Sequence, residues 1–115
     1  MGLFGRKKDP RNQLAAAIAK RGVRARGTID SIRETGAAPN EYEAMVSFVP
    51  ENGAASVVRI VQAMPPQTLH GLEPGEPVDI SYDRDDPSVA MIWGSPKYKT
   101  IDGHVVRVED VPPGA

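Results

Sequence analysis

Apolar and polar residues alternate one by one along much of this chain after residue 22. Residues 23–29 show the alternation most clearly, and it predicts a strand with one face buried and the other in solvent. The apolar residue Ile32 falls out of step with this alternation. That break predicts a β-bulge or a strand end near Asp30 and Ser31.

Further apolar runs with the same period of two follow, and each predicts another short strand. They lie at 42–48, 56–62, 78–82, 89–93, 97–101 and 104–109. The inward-facing side chains predicted for two of these runs are Tyr42, Ala44, Val46 and Phe48, and then Val78, Ile80 and Tyr82.

Gly and Pro, with 11 residues each, lie largely between these runs and mark turns. Asn-Gly and Asp-Gly pairs predict type I′ hairpin turns, because both central residues of that turn need a positive φ. A Pro-Gly pair predicts a type II turn, and aspartates beside a proline predict a turn closed by hydrogen bonds to backbone amides. The residues assigned to these turns are Asn52, Gly53, Pro74, Gly75, Asp83, Asp86, Pro87, Asp102 and Gly103. Short strands with frequent turns predict an all-β fold, a small five- or six-stranded antiparallel barrel of the OB or SH3-like kind.

The first 22 residues have a different pattern, which predicts one N-terminal helix. Asp9 suits the N-cap, Pro10 suits the first helical position, and Gly22 suits the residue after the end. We therefore expect a helix at 10–21, preceded by a flexible arm. The predicted organisation is a basic arm with a short helix at 1–22, a β-barrel domain at 23–110 and a disordered tail at 111–115.

Charge is distributed unevenly between the start of the chain and the remainder. The first 26 residues hold eight of the 14 Lys and Arg residues but only one of the 15 acids, so their formal charge is about +7. The remaining residues carry about −8, which leaves the net charge of −1. A basic head on an acidic body indicates that the two parts meet different surroundings, and the head suits an anionic surface.

Three interpretations of this basic head remain open. As a membrane-surface anchor, Leu3 and Phe4 would insert while the cations meet anionic lipid. As a nucleic-acid tail, the cations would bind phosphates without reading sequence. As a structural element, they would balance the acidic body. The residues expected to bind an anionic surface are Arg6, Lys7, Lys8, Arg11, Lys20, Arg21, Arg24 and Arg26.

Several phrases of the barrel region resemble a group of bacterial, largely actinobacterial, proteins known only as domains of unknown function. The phrases are Ala25-Arg-Gly-Thr-Ile29, Ser31-Ile-Arg-Glu-Thr-Gly36, Pro74-Gly-Glu-Pro-Val78 and Tyr82-Asp-Arg-Asp-Asp-Pro-Ser-Val-Ala90. The resemblance covers roughly residues 23–94 and implies a small β-barrel. Relatives often add transmembrane helices or an oligomerisation helix, which we do not find here, and the resemblance implies no activity or ligand.

Motifs for catalysis and metal binding are not recognisable in the sequence. Asp83, Asp85 and Asp86 form the densest acidic cluster, but an EF-hand loop would need a ligand where Pro87 stands. The two histidines lack metal-ligand spacing, and no serine lies in a nucleophile elbow. We therefore expect neither enzymatic activity nor a cofactor or metal.

Three aromatic residues could serve either as core or as stacking platforms for nucleic acid. Tyr42, Tyr82 and Trp93 alternate in step with Val, Ile and Ala, which predicts that all three lie in the core. On this interpretation Trp93→Ala would cost about 3–5 kcal/mol of stability.

Together these observations predict a non-enzymatic interaction or scaffolding module with a protein partner. We expect it in the cytoplasm, peripheral at the membrane face through its basic head; the alternative is a nucleic-acid-binding accessory protein. The exposed strand edges and the loops at 34–41 and 63–72 are the expected specific surfaces. The oligomeric state stays open.

Overall fold

The computed structural model describes residues 22–51 and 53–110. The predicted helix at 10–21, most of the basic head, Asn52 and the tail at 111–115 lie outside the described residues.

The described chain consists of seven strands and two short helical turns. The strands are β1 (Val23–Glu34), β2 (Glu41–Phe48), β3 (Ser56–Ala63), β4 (Pro77–Asp83), β5 (Asp86–Gly94), β6 (Tyr98–Ile101) and β7 (His104–Arg107). Helix α1 (Pro66–Leu69) lies between β3 and β4, and a 3₁₀ turn (Val108–Asp110) follows β7. The all-β prediction is confirmed.

Strands β1 to β5 form one antiparallel sheet, with the order β3-β2-β1-β4-β5. The long strand β1 lies at its centre and pairs with β2 along its second half and with β4 along its first half. Its register against β2 shifts between Ile29 and Ser31. Asp30 is therefore the extra residue, and the predicted bulge is confirmed.

The two edge strands, β3 and β5, approach each other and nearly close the sheet into a barrel. No backbone ladder joins them among the described residues; the amide of Gln62 bridges the seam instead. Its Nε2 donates to the Ile92 carbonyl at 2.9 Å, and its Oε1 accepts from the Ile92 N–H at 2.8 Å. One side chain thus replaces a pair of ladder hydrogen bonds, which satisfies both polar groups of a buried strand residue.

The core fills the interior of this barrel. It follows the predicted alternation on β1, β2 and β4, whose inward residues are buried or, at Val23, Ala25 and Tyr42, partly buried against the core. The rings of Phe48 and Tyr82 meet with centroids 5.2 Å apart, and the Tyr82 hydroxyl accepts a hydrogen bond from the Glu51 N–H at 2.6 Å. The buried hydrophobic residues are Ile29, Ala44, Val46, Phe48, Val58, Ile60, Met64, Leu72, Val78, Ile80, Tyr82 and Ile92.

Two of the predicted turns form as expected. Asp102 and Gly103 have φ values of 50° and 80° between the paired residues Ile101 and His104, which is the type I′ geometry. Gly75 has a φ of 89° and the Glu76 N–H donates to the Glu73 carbonyl, consistent with the predicted type II turn.

The predicted two-residue turn at Asn52 and Gly53 is wrong. The hairpin between β2 and β3 exists, but its last paired residues are Phe48 and Ser56, so residues 49–55 form the connection. Gly53 does not adopt a positive φ. A connection of this length does not need the two consecutive positive-φ residues of a type I′ turn.

The strands β6 and β7 form a separate hairpin rather than part of the barrel. Helix α1, which the sequence did not predict, begins after Pro65 with Pro66 in its first turn. Proline suits that position because the first helical N–H groups have no partner inside the helix. Within the described ranges, no helix is both long and apolar enough to cross a bilayer.

A candidate interaction surface at Trp93

Trp93 lies on the outer face of the barrel, so its predicted place in the core is wrong. The register between β4 and β5 pairs Asp79 with Gly94 but Ile80 with Ile92, which makes Trp93 the extra residue of a bulge. Ala90 and Ile92 face the core. Because successive residues of a strand point to opposite faces, Trp93 points outward and remains 39 % exposed.

Two contacts, with Ser81 and with Arg24, fix the orientation of the Trp93 indole. The Trp93 Nε1 donates to the Ser81 Oγ at 2.7 Å, and Ser81, an outward-facing residue of β4, is itself almost fully buried. The guanidinium carbon of Arg24 lies 4.8 Å from the ring centroid, a cation–π distance. Because Arg24 pairs with Ser81 across β1 and β4, the three side chains occupy neighbouring positions on one sheet face.

The β6–β7 hairpin packs beside this face through Tyr98. The Tyr98 ring meets the His70 ring edge-on, with centroids 4.4 Å apart, and the Arg107 guanidinium lies 6.0 Å from its centroid. Gly71 makes this packing possible, because a Cβ there would lie 2.5 Å from the Tyr98 ring. Its φ of 84° also favours glycine.

A groove of about 200 Å³ separates the hairpin from helix α1 and the end of β5. Aromatic rings and polar side chains contribute to its walls together, which is typical of a binding surface rather than of a core. We call it the Trp93 groove; its lining residues are Gln67, Thr68, His70, Trp93, Gly94, Ser95, Tyr98, Lys99, Thr100 and Val105.

The acidic residues near this groove are neutralised by ion pairs. Arg26 and Asp79 pair across β1 and β4 at 3.1 Å, and Arg107 lies 3.7 Å from Glu109. Lys97 contacts Glu76 at 2.6 Å, and this hydrogen bond raises the pKa of Lys97. Hydrogen bonding to the Tyr98 side chain chiefly raises the pKa of Arg107.

Two cations at the groove have no such partner. Arg24 lies on the Trp93 ring and Lys99 lines the groove, and neither forms an ion pair with any residue in 22–51 or 53–110. The Trp93 groove therefore combines exposed aromatic surface with uncompensated positive charge.

The outer surface over β1, β2 and β3 has a different character. Glu43 accepts hydrogen bonds from Arg33, at 2.9 Å, and from Arg59, so one carboxylate serves two cations on neighbouring strands. The hydrogen bond from Arg59, followed by the charge of Arg33, lowers the pKa of Glu43. This surface satisfies its own charges.

The acidic turn between β4 and β5 has the predicted structural role. The Asp85 N–H donates to Asp83 at 2.9 Å, and Ser88 donates to Asp86 through both its N–H and its hydroxyl. Such bonds close turns beside a proline. Among the residues that the structure describes, no group of three or more acids or histidines is arranged to hold a metal ion.

A second cavity, of about 280 Å³, lies at the end of the barrel near the β2–β3 connection. Its one aromatic residue is Tyr82, which is buried and accepts the Glu51 N–H. Glu51 also pairs with Arg84 at 3.7 Å across the cavity. Because its aromatic and charged groups are already engaged, this cavity offers less to a ligand than the Trp93 groove.

The two histidines are separated by the fold. His70 lines the Trp93 groove, whereas His104 is exposed at the start of β7. The Asp83–Asp86 turn begins β5 and the groove lies at its end, which places roughly 25 Å of strand between His70 and that turn. The structure does not bring this histidine and the acidic cluster together.

Of the basic residues predicted to bind an anionic surface, Arg24 and Arg26 lie in β1. Leu3 and Phe4, predicted to insert into a membrane, lie outside the described residues, as do Arg6, Lys7, Lys8, Arg11, Lys20 and Arg21. Sequence reasoning missed the groove itself, including Tyr98, His70 and Lys99. The available signal was that Ile92 and Trp93 are consecutive residues, so only one of them can face the core.

No family model, curated protein or solved structure matches this chain. The resemblance to uncharacterised bacterial barrel proteins therefore stays a prediction.

Proposed function

We propose that this protein is a non-enzymatic interaction module that binds an anionic partner through its basic head and the Trp93 groove. The observation that carries the proposal is the stack of Arg24 on Trp93. It joins the last part of the basic head to an exposed aromatic ring on the barrel. The head supplies electrostatic attraction, and the groove supplies the shaped contact.

The composition of the groove supports a binding role. Protein surfaces that bind partners are enriched in Trp, Tyr and Arg, and these residues carry most of the binding energy. Trp93 and Tyr98 line the groove, and Arg24 and Arg107 lie against their rings, so all three types meet at this surface. The segment at 63–72, expected to offer a specific surface, contributes His70 to the same groove.

A membrane surface is the first candidate for the anionic partner. Leu3 and Phe4 stand directly before Arg6, Lys7 and Lys8, and apolar side chains beside cations favour attachment to anionic lipid. On this proposal the head holds the module at the membrane and leaves the barrel for a protein partner. Each cation near the surface would contribute about 1 kcal/mol.

Nucleic acid is the second candidate, and the exposed ring of Trp93 favours it. A stacking role was not expected, because the sequence placed the aromatic residues in the core. Tyr82 is indeed buried there, whereas Trp93 is exposed. Charge and an aromatic platform together suit a nucleotide chain better than either does alone.

The test is flotation of the full-length protein with anionic vesicles, with and without competing DNA. Two variants accompany it: a charge reversal of Lys7, Lys8 and Arg11 to Glu, and Leu3→Ala with Phe4→Ala. A membrane partner predicts salt-sensitive flotation that both variants lose and that DNA does not displace. A nucleic-acid partner predicts DNA binding that the charge reversal weakens and the apolar variant retains. Failure of the wild-type protein to bind either partner would refute the proposal.

A further inference from the structure

We infer that the Trp93 groove receives an unpaired base of a single-stranded nucleic acid, an inference that rests on the proposed binding of an anionic partner. The groove and its rim offer two chemical features at once, exposed aromatic rings and cations that no carboxylate of the described residues pairs with. The ligand class that carries both flat aromatic faces and regularly spaced negative charges is a nucleotide chain.

The Trp93 indole is held in a fixed orientation, which suits stacking against a base. Its hydrogen bond to Ser81 and its contact with Arg24 hold the indole in one orientation before any ligand arrives. A ring that is already fixed loses little conformational entropy when it binds, so more of the stacking energy contributes to affinity. Tyr98 and His70, which brace each other edge-on, contribute aromatic rings to the same groove.

Arg24 and Lys99 are the cations placed to meet phosphates. Both are at the groove, and no described carboxylate pairs with either of them. The carboxylates of Asp79, Glu76 and Glu109 are each engaged by a Lys or Arg. These pairs weaken the repulsion that they would otherwise exert on a phosphate.

The shape of the site favours a single strand over a duplex or a lipid surface. The groove lies between the hairpin, helix α1 and the end of β5, and only an unstacked base can present its face there. Lipid insertion would instead need protruding apolar side chains. Of the exposed valines, Val49 and Val57 lie at the β2–β3 end of the barrel and only Val108 follows the hairpin, and the groove contains polar residues such as Thr68 and Thr100.

The test uses the full-length protein and a labelled oligothymidine of about 12 nucleotides, which is within the range of single-strand sites. Affinity is measured by anisotropy at several salt concentrations, beside a duplex of equal length and anionic vesicles. Trp93 is the only tryptophan of the chain, so its fluorescence reports directly on the groove. We expect saturable quenching by the single strand.

Substitutions test which side chains contact the nucleic acid. We expect Trp93→Ala to weaken binding about 5- to 150-fold, as for loss of one stacked base, and Trp93→Phe to retain most of the affinity. Arg24→Ala and Lys99→Ala should each lower the salt slope by about 0.7 if each removes one phosphate contact. Arg84→Ala is the matched control, because Arg84 lies in the β4–β5 turn beside Glu51. Circular dichroism of each variant confirms folding.

The outcomes separate this inference from the function on which it rests. Quenching with a loss of affinity in Trp93→Ala but not in Arg84→Ala would support it. Equal affinity for duplex and single strand, with no effect of Trp93→Ala, would overturn it and leave binding through the head intact. Binding to vesicles alone would overturn it in favour of a membrane partner. Binding to neither would refute the proposed function as well.

Discussion

Two regions of the barrel's outer surface carry arginines, and the regions differ in whether a carboxylate lies beside the arginine. Over β1, β2 and β3, Glu43 lies between Arg33 and Arg59, so positive and negative charges alternate across the strands. Over β1, β4 and β5, Arg24 lies on the Trp93 ring and has no described carboxylate beside it. We call the first region the Glu43 face, because Glu43 pairs with both of its arginines there, and the second the Trp93 face, where Arg24 has no ion-pair partner among the described residues.

The difference separates surface that serves the fold from surface that offers binding. On the Glu43 face a partner would have to break existing ion pairs, and a new contact there would gain little. On the Trp93 face a partner meets apolar ring area and positive charge that the fold itself leaves uncovered. The predictions below test this contrast, beginning with the largest expected effect.

The sharpest test compares the two large aromatic side chains of neighbouring strands. Tyr82 is buried in the core and Trp93 is 39 % exposed. We expect Tyr82→Ala to lower the free energy of unfolding by about 3–5 kcal/mol. Trp93→Ala should cost only about 1–2 kcal/mol, from partial burial and one hydrogen bond. Urea unfolding followed by far-ultraviolet circular dichroism measures both, and equal costs would place Trp93 in the core after all.

The seam between β3 and β5 supports the Trp93 face but not the Glu43 face. Gln62→Leu would remove both hydrogen bonds to Ile92 and leave its backbone groups without partners, so we expect a loss of about 2–4 kcal/mol. Gln67→Leu, on the exposed α1, is the matched control. Amide hydrogen exchange should accelerate in β5 and remain slow in β1 and β2. Equal acceleration of exchange in all strands would show that the hydrogen bonds of Gln62 do not stabilise β5 in particular.

Gly71 holds the hairpin wall of the Trp93 groove in place. Gly71→Ala would place a Cβ against the Tyr98 ring at a φ of 84°, and we expect a cost of about 2–3 kcal/mol with a shift in Trp93 fluorescence. Gly36→Ala is the control, because Gly36 has a φ of 77° but nothing within 4 Å of the added Cβ. It should cost only about 1 kcal/mol, for backbone strain. Equal costs for the two variants would mean that the Tyr98 ring moves aside without loss of stability.

The Glu43 face should respond to acid. Because Arg59 and Arg33 lower the pKa of Glu43 in the folded state, its stabilising effect is fully present above the unfolded pKa, near 4.5. That effect is lost as the pH falls through the lower, folded-state pKa. Urea unfolding across this window should show a loss of stability that is smaller in Glu43→Gln. Glu73→Gln is the control, and an identical acid response of all three proteins would contradict the prediction. This is the smallest effect, since the pair is exposed to solvent.

The sequence predicted most of the barrel correctly because its strands are half-buried. On β1, β2 and β4 one face meets the core, so residues such as Val46, Val78 and Ile80 must alternate with polar ones. The bulge at Asp30 was visible because Ile32 broke that alternation. The tight turn at Asp102 and Gly103 was visible because few residues adopt its geometry.

The prediction for Trp93 failed because a period of two says which residues share a face but not which face meets the core. Residues 89–93 are apolar throughout, so the face of Trp93 and the face of Ile92 looked equally suited to the core. No residue there broke the pattern in the way that Ile32 did, so Trp93 was assigned to the core with Tyr82.

The sequence by itself determined the strands, the tight turns and the concentration of positive charge before residue 27, because these depend on local conformation and on counting. Tertiary structure decided which aromatic ring stays in solvent, which arginine lies on it, and that Gln62 completes the barrel. These outcomes depend on pairs distant in sequence, Arg24 with Trp93 and Gln62 with Ile92. Local patterns cannot encode such contacts, because they arise only when strand pairing sets the register and folding brings the edges of the sheet together.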